Sequence, residues 1–281
     1  MTAEKMQSVL NAIREHANSI SSEEELAKSM IERRTRFAVD ITRLSYWFPK
    51  IQAAGLPAPK TKIIKATDAE YIDIYRLLGR QGLKGPGHTL ISRIKSAADE
   101  IGYPCFLRTD HTSGKHDWEK TCYLANPGKL IDHIANIIYF WECVNISAPP
   151  CDVWAVREFL PTMPLGVCKN YGNMPICREF RFFVNGPEVK CRHPYWPPKA
   201  LEQGGAEYYD NFNWKTFTRL PAGENLHGMA SLAGNAAGGE WSIDFLETKN
   251  GWFITDMAEA HKSYHWEGCP KSRYKSNSRL I

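Results

Sequence analysis

No stretch of this 281-residue chain approaches the roughly 18 consecutive apolar residues that a membrane-spanning helix requires. The first residues, MTAEKMQSVLNAIREHA, lack the apolar core of a secretory signal, so cytoplasmic residence and no membrane partner are the expectation. No Cys-x-x-Cys pair occurs among the eight cysteines (105, 122, 143, 151, 168, 177, 191 and 269). Several of them sit in apolar runs, which predicts reduced core thiols and not a disulfide framework. A zinc site is not expected either. His261, His265 and Cys269 are spaced four apart, but only a helix would align them, and Gly268 and Pro270 oppose a helix there.

Two phosphate-binding signatures are also missing. A Walker loop needs Gly at the position of Thr109, ahead of Gly114–Lys115, and Ser or Thr at the position of His116. Gly-x-Gly-x-x-Gly is absent, which argues against a dinucleotide fold. No internal repeat is visible. Charge of either sign is modest, at a net +4. That suits a protein that handles anions without demanding nucleic acid. The nine tryptophans lie mostly in strand-like runs, where packing explains them.

What is present is an ordinary globular balance, 43% hydrophobic and 23% charged, long enough for two lobes. The first sixty residues read as helices. Ser21 or Ser22 can cap one, and Arg33, Arg34 and Arg36 form a solvated face. A further helix runs from about Phe37 to Ala54 and is stopped by Gly55, Pro57 and Pro59. Lys60–Lys65 is a short strand, and Thr67 or Asp68 caps the next helix. Gly79–Gly87 reads as a mobile loop and His88–Ile101 as a helix. Pro127 opens a helix to about Val144, and Asp152–Leu160 is a buried strand. Hairpins turn at Asn185–Gly186 and at Asn250–Gly251. Trp196–Gly223 is irregular, Asn225–Ala237 a small-residue helix, and the tail from Cys269 is basic. Helices followed by antiparallel hairpins define an α+β chain and disfavour a doubly wound parallel sheet.

The segment Pro104–Trp118, PCFLRTDHTSGKHDW, carries the most chemistry. A short strand ends in Arg108, and Ser113–Gly114–Lys115 then combines a hydroxyl, a flexible backbone and a cation. Anionic oxygens need charge-assisted donors, and small residues allow backbone amides to approach them. Downstream, a hairpin adds cations, Arg178 and Arg181 on one strand and Lys190 and Arg192 on the other, with a structural salt-bridge ladder as the rival reading. The late hairpin places Asp244 and Asp256 where they converge on one side, with Glu247 and Glu259 nearby. Paired carboxylates among apolar strand residues suit magnesium or partner arginines.

Together these parts resemble the ATP-grasp superfamily over roughly Leu56–His265, most closely divergent phage-type members and more distantly the cell-division-cycle-type assembly factors of eukaryotes. LPAPKT, IGYPCFLRT, TSGKHDW, VWAVREFLP, CREFRFFVNG and WSIDFLETKNGWFITDMAEAH follow the family's order. The resemblance implies a two-lobed ATP-grasp fold with antiparallel sheets. Its parts would be an N-terminal helical segment (1–58), a first lobe with a phosphate-covering loop (59–151), a second lobe with a metal-binding hairpin (152–268) and a basic tail (269–281). It implies ATP and Mg2+ as cofactors, held between the lobes. Arg108, Thr112, Ser113, Gly114, Lys115, Glu158, Phe159, Leu160, Arg178 and Lys190 would contact nucleotide. Lys115, Arg181 and Arg192 would act in catalysis, and Asp244, Asp256 and Glu259 would bind metal. Ala258 stands where many members carry a metal-ligating asparagine.

The implied activity is carboxylate–amine ligation through an acylphosphate, on an amino acid, peptide or modified macromolecule. The alternative is a nucleotide-binding assembly factor without a ligation product. Tyr195–Phe217 and His261–His265 are candidate substrate walls, with ordinary packing as the rival reading. Nucleic-acid engagement would fall to Lys271, Arg273, Lys275, Arg279 and Arg33–Arg36, with a steep dependence on salt.

Overall fold

A computed structural model of the chain describes residues 23–79, 82–144, 149–266 and 269. The capping serines 21 and 22 and the tail cations Lys271, Arg273, Lys275 and Arg279 lie outside the described residues. The described chain begins with helices α1 (Glu23–Arg36) and α2 (Leu44–Ala53). The helix expected from Phe37 therefore starts seven residues late. Arg43 is extended (φ −58°, ψ 134°) and breaks it. The first sixty residues also do not stay together. The chain forms two compact units, one from the described residues of Met1–Asp40 and Lys60–Phe159, the other from Ile41–Pro59 and the described residues of Leu160–Ile281.

In the first unit a four-stranded sheet runs in the order β1 (Thr61–Lys65), β4 (Val153–Glu158), β2 (Cys105–Thr109), β3 (Tyr123–Leu124). All its pairings are antiparallel. Strand β4, VWAVRE, is buried over its first five residues, as expected for a central strand. Ile64, Leu107, Trp154 and Val156 of this sheet share a core with Leu90 and Ile94 of α4 (Gly85–Ile101) and Ile134 and Ile138 of α5 (Leu130–Val144). Helix α3 (Asp68–Ile74) opens on a capping box, with the Thr67 side chain and Glu70 each satisfying the other's backbone N–H. Helix α4 starts at Gly85, inside the segment expected to be a loop. Asp73 makes this start favourable by accepting from Lys84 N (3.1 Å) and Gly87 N (2.7 Å), so a remote carboxylate serves as the cap.

Arg33 and Arg34 are not a solvated face. Arg33 donates to Glu142 at 2.7 Å, and Arg34 reaches Asp152, Asp68 and the Ala66 carbonyl. Only Arg36 of the trio is exposed. These arginines stitch α1 to its own unit.

The second unit carries a four-stranded antiparallel sheet ordered β11 (Gly251–Glu259), β10 (Glu240–Thr248), β7 (Glu179–Asn185), β8 (Glu188–Pro194). Both expected hairpins are present. One face packs Phe182, Val184, Trp241 and Ile243 beneath α6 (Leu226–Ala237). The helix approaches closely because Gly234 has no side chain. A Cβ there would lie 2.1 Å from the Gly186 carbonyl. Trp47, Phe48 and Ile51 of α2 are buried in this unit. A smaller sheet runs β6 (Met174–Pro175), β5 (Gly166–Cys168), β9 (Ala206–Tyr208). The segment expected to be irregular contains β9 and the helical turns Pro198–Gln203 and Trp214–Thr218.

Candidate functional site

Register decides the chemistry of the larger sheet in the second unit. Asp256 pairs with Asp244, Asp244 with Arg181, and Arg181 with His193. Directly paired residues point to the same side of a sheet, so these four form a row across all four strands. The two aspartates therefore share a face, as expected from the sequence. The Arg181 guanidinium grips Asp244 as a fork, Nε to Oδ1 at 2.7 Å and Nη2 to Oδ2 at 2.8 Å. Asp244 is only 4% exposed. Burial works against the charge on Arg181, yet Asp244, through charge and hydrogen bonds together, holds it above the usual guanidinium range. The same guanidinium carbon lies 4.8 Å from the centre of the Tyr195 ring, a favourable cation–π distance.

Asp256 is half-buried and accepts from the Met257 backbone N–H at 3.1 Å. The donor set fits a hard divalent cation. Each carboxylate oxygen has two lone pairs, and the fork occupies one on each Asp244 oxygen, so capacity remains beside Asp256 for magnesium.

Other expected residues lie elsewhere. Glu259 pairs in register with Trp241, on the face opposite Asp256, and forms an ion pair with Lys262. Ala258 does lie on the aspartate face, opposite Ser242, and offers no ligand atom. Arg192 pairs with Phe182 and so alternates away from Arg181. Lys190 sits at the bulge of β8 and pairs with Glu188. Arg178 is committed to both oxygens of Glu247 (2.7 and 2.8 Å) and to the Arg219 carbonyl. Leu160 is buried in this unit.

In the first unit, Arg108 is buried near the end of β2 and donates to the Thr109 carbonyl at 3.0 Å. The loop beyond it is braced internally. Thr112 Oγ1 accepts from Gly114 N, and Thr121 Oγ1 lies 2.6 Å from the Gly114 carbonyl. Gly114 is left-handed (φ 63°), a conformation glycine adopts without penalty. Ser113 is half-buried beside it. Lys115 then opens a 3-10 turn, Lys115–Lys120. His116 stacks on Phe140, and burial together with Lys115 pushes its pKa down. Trp118, on the same turn, packs with Phe106, Tyr123 and Phe159 at centroid distances of 5.7, 5.9 and 6.0 Å. Glu158 accepts from Lys60 N at 3.2 Å. By register Arg108 pairs with Ala155 and Glu158 with Cys105, three pairs apart, so strand alternation puts Arg108 and Glu158 on opposite faces of this sheet.

Sequence reasoning gave His193 no role and placed Tyr195 only at the start of a candidate substrate wall, not beside Arg181. It also missed that His265 and Cys269 come back to β8, beside Cys191. The available signal was the Cys-x-His spacing of 191 and 193, which on a strand puts both side chains on one face.

No protein-family model and no curated protein sequence matches this chain. Among solved structures, the chain is similar to Cdc123 from Schizosaccharomyces pombe, with a TM-score of 0.49 and 14% identity over 78% of this chain and 83% of that one. It is also similar to an ATP-grasp RimK domain protein from Sphaerobacter thermophilus (TM-score 0.42, 15% identity, 78% of this chain and 59% of that one). A third is biotin carboxylase from Campylobacter jejuni (TM-score 0.44, 16% identity, 82% of this chain and 42% of that one). All three scores lie below 0.5, and the functional reading that follows is carried by the residues.

Proposed function

We propose that this chain is an ATP-grasp protein that binds Mg-ATP and works as a carboxylate–amine ligase. The observation that carries the reading is the row Asp256–Asp244–Arg181, two carboxylates and a guanidinium on one face of one sheet. Phosphoryl transfer needs that mixture of charges, because its catalysis is mostly positioning and charge neutralisation. Asp244 and Asp256 would hold magnesium, which supplies neutralisation of phosphate charge when bound. Arg181, oriented by its fork to Asp244, presents fixed positive charge beside them. In the first unit, Lys115 and the backbone amides around Gly114 are proposed to contact phosphate oxygens. Glu158 and the backbone at Phe159 are proposed to contact the nucleoside. A substrate carboxylate oxygen then attacks the γ-phosphorus and ADP leaves. An amine nitrogen attacks the resulting acylphosphate carbon, phosphate leaves, and the amine loses a proton. No nucleophilic side chain is required.

A thermal-shift titration with ATP and magnesium tests the binding step, since a ligand of the folded form raises apparent stability by about 2.7 kcal/mol at a hundredfold excess over Kd. The wild-type chain is expected to shift, and Lys115→Ala and Asp256→Asn to shift less. No wild-type shift at millimolar nucleotide overturns the reading. Ligation is tested by ADP release with pooled carboxylates and amines, measured against Asp256→Asn.

Ala258 supports a second reading, an assembly factor that binds nucleotide without ligating. It leaves the aspartate face one ligand short of a third side-chain donor on β11. Tight ATP binding with ADP release no faster than in Asp256→Asn would favour it.

A further inference from the structure

We infer that Cys191, His193, His265 and Cys269 form a tetrahedral Cys2His2 site for a zinc-class divalent ion, distinct from the proposed magnesium ligands. One ligand atom from each of the four lies within 4.8 Å of every other. His193 Nε2 and His265 Nδ1 are 3.2 Å apart, and Cys191 Sγ is 3.9 Å from His265 Nδ1. A zinc tetrahedron with metal–nitrogen bonds of about 2.05 Å and metal–sulfur bonds of about 2.3 Å has edges of about 3.3 to 3.8 Å. The separations of 3.2 and 3.9 Å sit close to those edges, and every pair of ligand atoms lies within 4.8 Å.

The ligands come from two places, and local structure brings each pair together. Cys191 and His193 alternate onto the same face of β8, opposite Phe183 and Arg181. After β11 the chain makes a 3-10 turn, Ala260–Lys262, and then returns across that face. Ser263 Oγ lies 2.6 Å from Ser242 Oγ of β10. The His265 ring stacks on Phe183 of β7 with centroids 3.6 Å apart. The Trp266 ring lies parallel to His193 within 7°, and Cys269 N donates to the Trp266 carbonyl at 3.2 Å. The rings are therefore held before any ion arrives, as good metal sites require.

Donor chemistry selects the ion. Two thiolates and two imidazoles suit zinc and exclude magnesium or calcium, which take oxygen ligands. Four protein ligands close the coordination sphere, so the site is structural and leaves no position for substrate. Its effect is to fasten Ser263–Trp266 and Cys269 to the sheet face that carries Arg181 and Asp244.

The test uses the full-length untagged chain, expressed with added zinc, desalted, and assayed by elemental analysis. About one equivalent of zinc is expected, with at least a tenfold loss in Cys191→Ser and in Cys269→Ser. The apo chain titrated with cobalt(II) should give intense visible d–d bands and a near-ultraviolet thiolate charge-transfer band, weaker by about half per cysteine removed. That spectrum on the wild-type chain decides the matter even if a variant fails to fold. Less than a tenth of an equivalent of zinc, a pale octahedral cobalt spectrum, or a Cys191–Cys269 disulfide in the freshly prepared protein would each overturn the proposal. None of these readouts depends on nucleotide binding.

Discussion

Replacing Arg181 with methionine tests the central row most sharply. The methionine keeps much of the volume and removes the fork, which leaves the Asp244 carboxylate with neither hydrogen bond at 2.7 or 2.8 Å. Asp244 is 4% exposed, so water cannot replace the lost donors. Breaking a buried ion pair from one side costs about 3 to 5 kcal/mol, because an uncompensated charge stays behind. At roughly 3 °C per kcal/mol for a unit of this size, the transition of the second unit should fall by about 9 to 15 °C. Asp244→Asn should cost less. The amide still accepts from the guanidinium, and Arg181 keeps the Tyr195 ring 4.8 Å away. The double variant Arg181→Met/Asp244→Asn should recover much of the Arg181→Met loss, because the buried charge is gone. The assay is a double-mutant cycle by urea unfolding, followed through the tryptophans. A loss below about 1 kcal/mol for Arg181→Met, the range of solvent-exposed pairs, would refute the argument. So would a double variant no more stable than Arg181→Met.

Three further outcomes follow from the same geometry. His133 shares its Nδ1 proton with the Thr121 carbonyl at 2.6 Å, and burial pushes its pKa down. Its contribution to stability should therefore be complete above the unfolded value of about 6.5 and be lost as pH falls below it. His133→Gln should flatten urea stability between about pH 7 and pH 5.5, and an unchanged slope would count against the assignment. Gly234→Ala should destabilise the second unit by about 1 to 3 kcal/mol, since the new Cβ would lie 2.1 Å from the Gly186 carbonyl and 2.7 Å from Val184; neutral thermal unfolding would show that α6 can move aside. Asp73→Ala removes two acceptors from the start of α4 and should cost about 1 to 2 kcal/mol, with faster amide exchange at Gly87 as the local readout.

The sequence foretold the features that rest on short-range rules. The Asn185–Gly186 and Asn250–Gly251 turns, the Thr67 cap and the buried run of β4 all depend on neighbours within a few residues. The shared face of Asp244 and Asp256 was also legible, because a tight hairpin largely fixes its own register. What escaped depends on distant partners. Nothing near Gly85 announces that Asp73, twelve residues earlier, caps its helix. Arg33 and Arg34 look like a solvent stripe until Glu142 and Asp152 arrive from more than a hundred residues away. Arg192 looked equivalent to Arg181 on sequence and is separated from it by strand alternation. The gathering of Cys191, His193, His265 and Cys269 was hidden for the same reason: spacing within one segment speaks only to its internal alignment, whereas His265 and Cys269 lie beside Cys191 and His193 of β8.

The row from Asp256 to His193 has a consequence for how the sheet assembles. Its four members come from four separate strands, and each pairing is a statement about alignment. Sliding β7 by one residue against β10 would turn Arg181 toward the apolar side and set Phe182 against Asp244. The ionic row thereby proofreads the sheet: a chain that pairs its strands one step out of phase buries a guanidinium in hydrocarbon and is rejected.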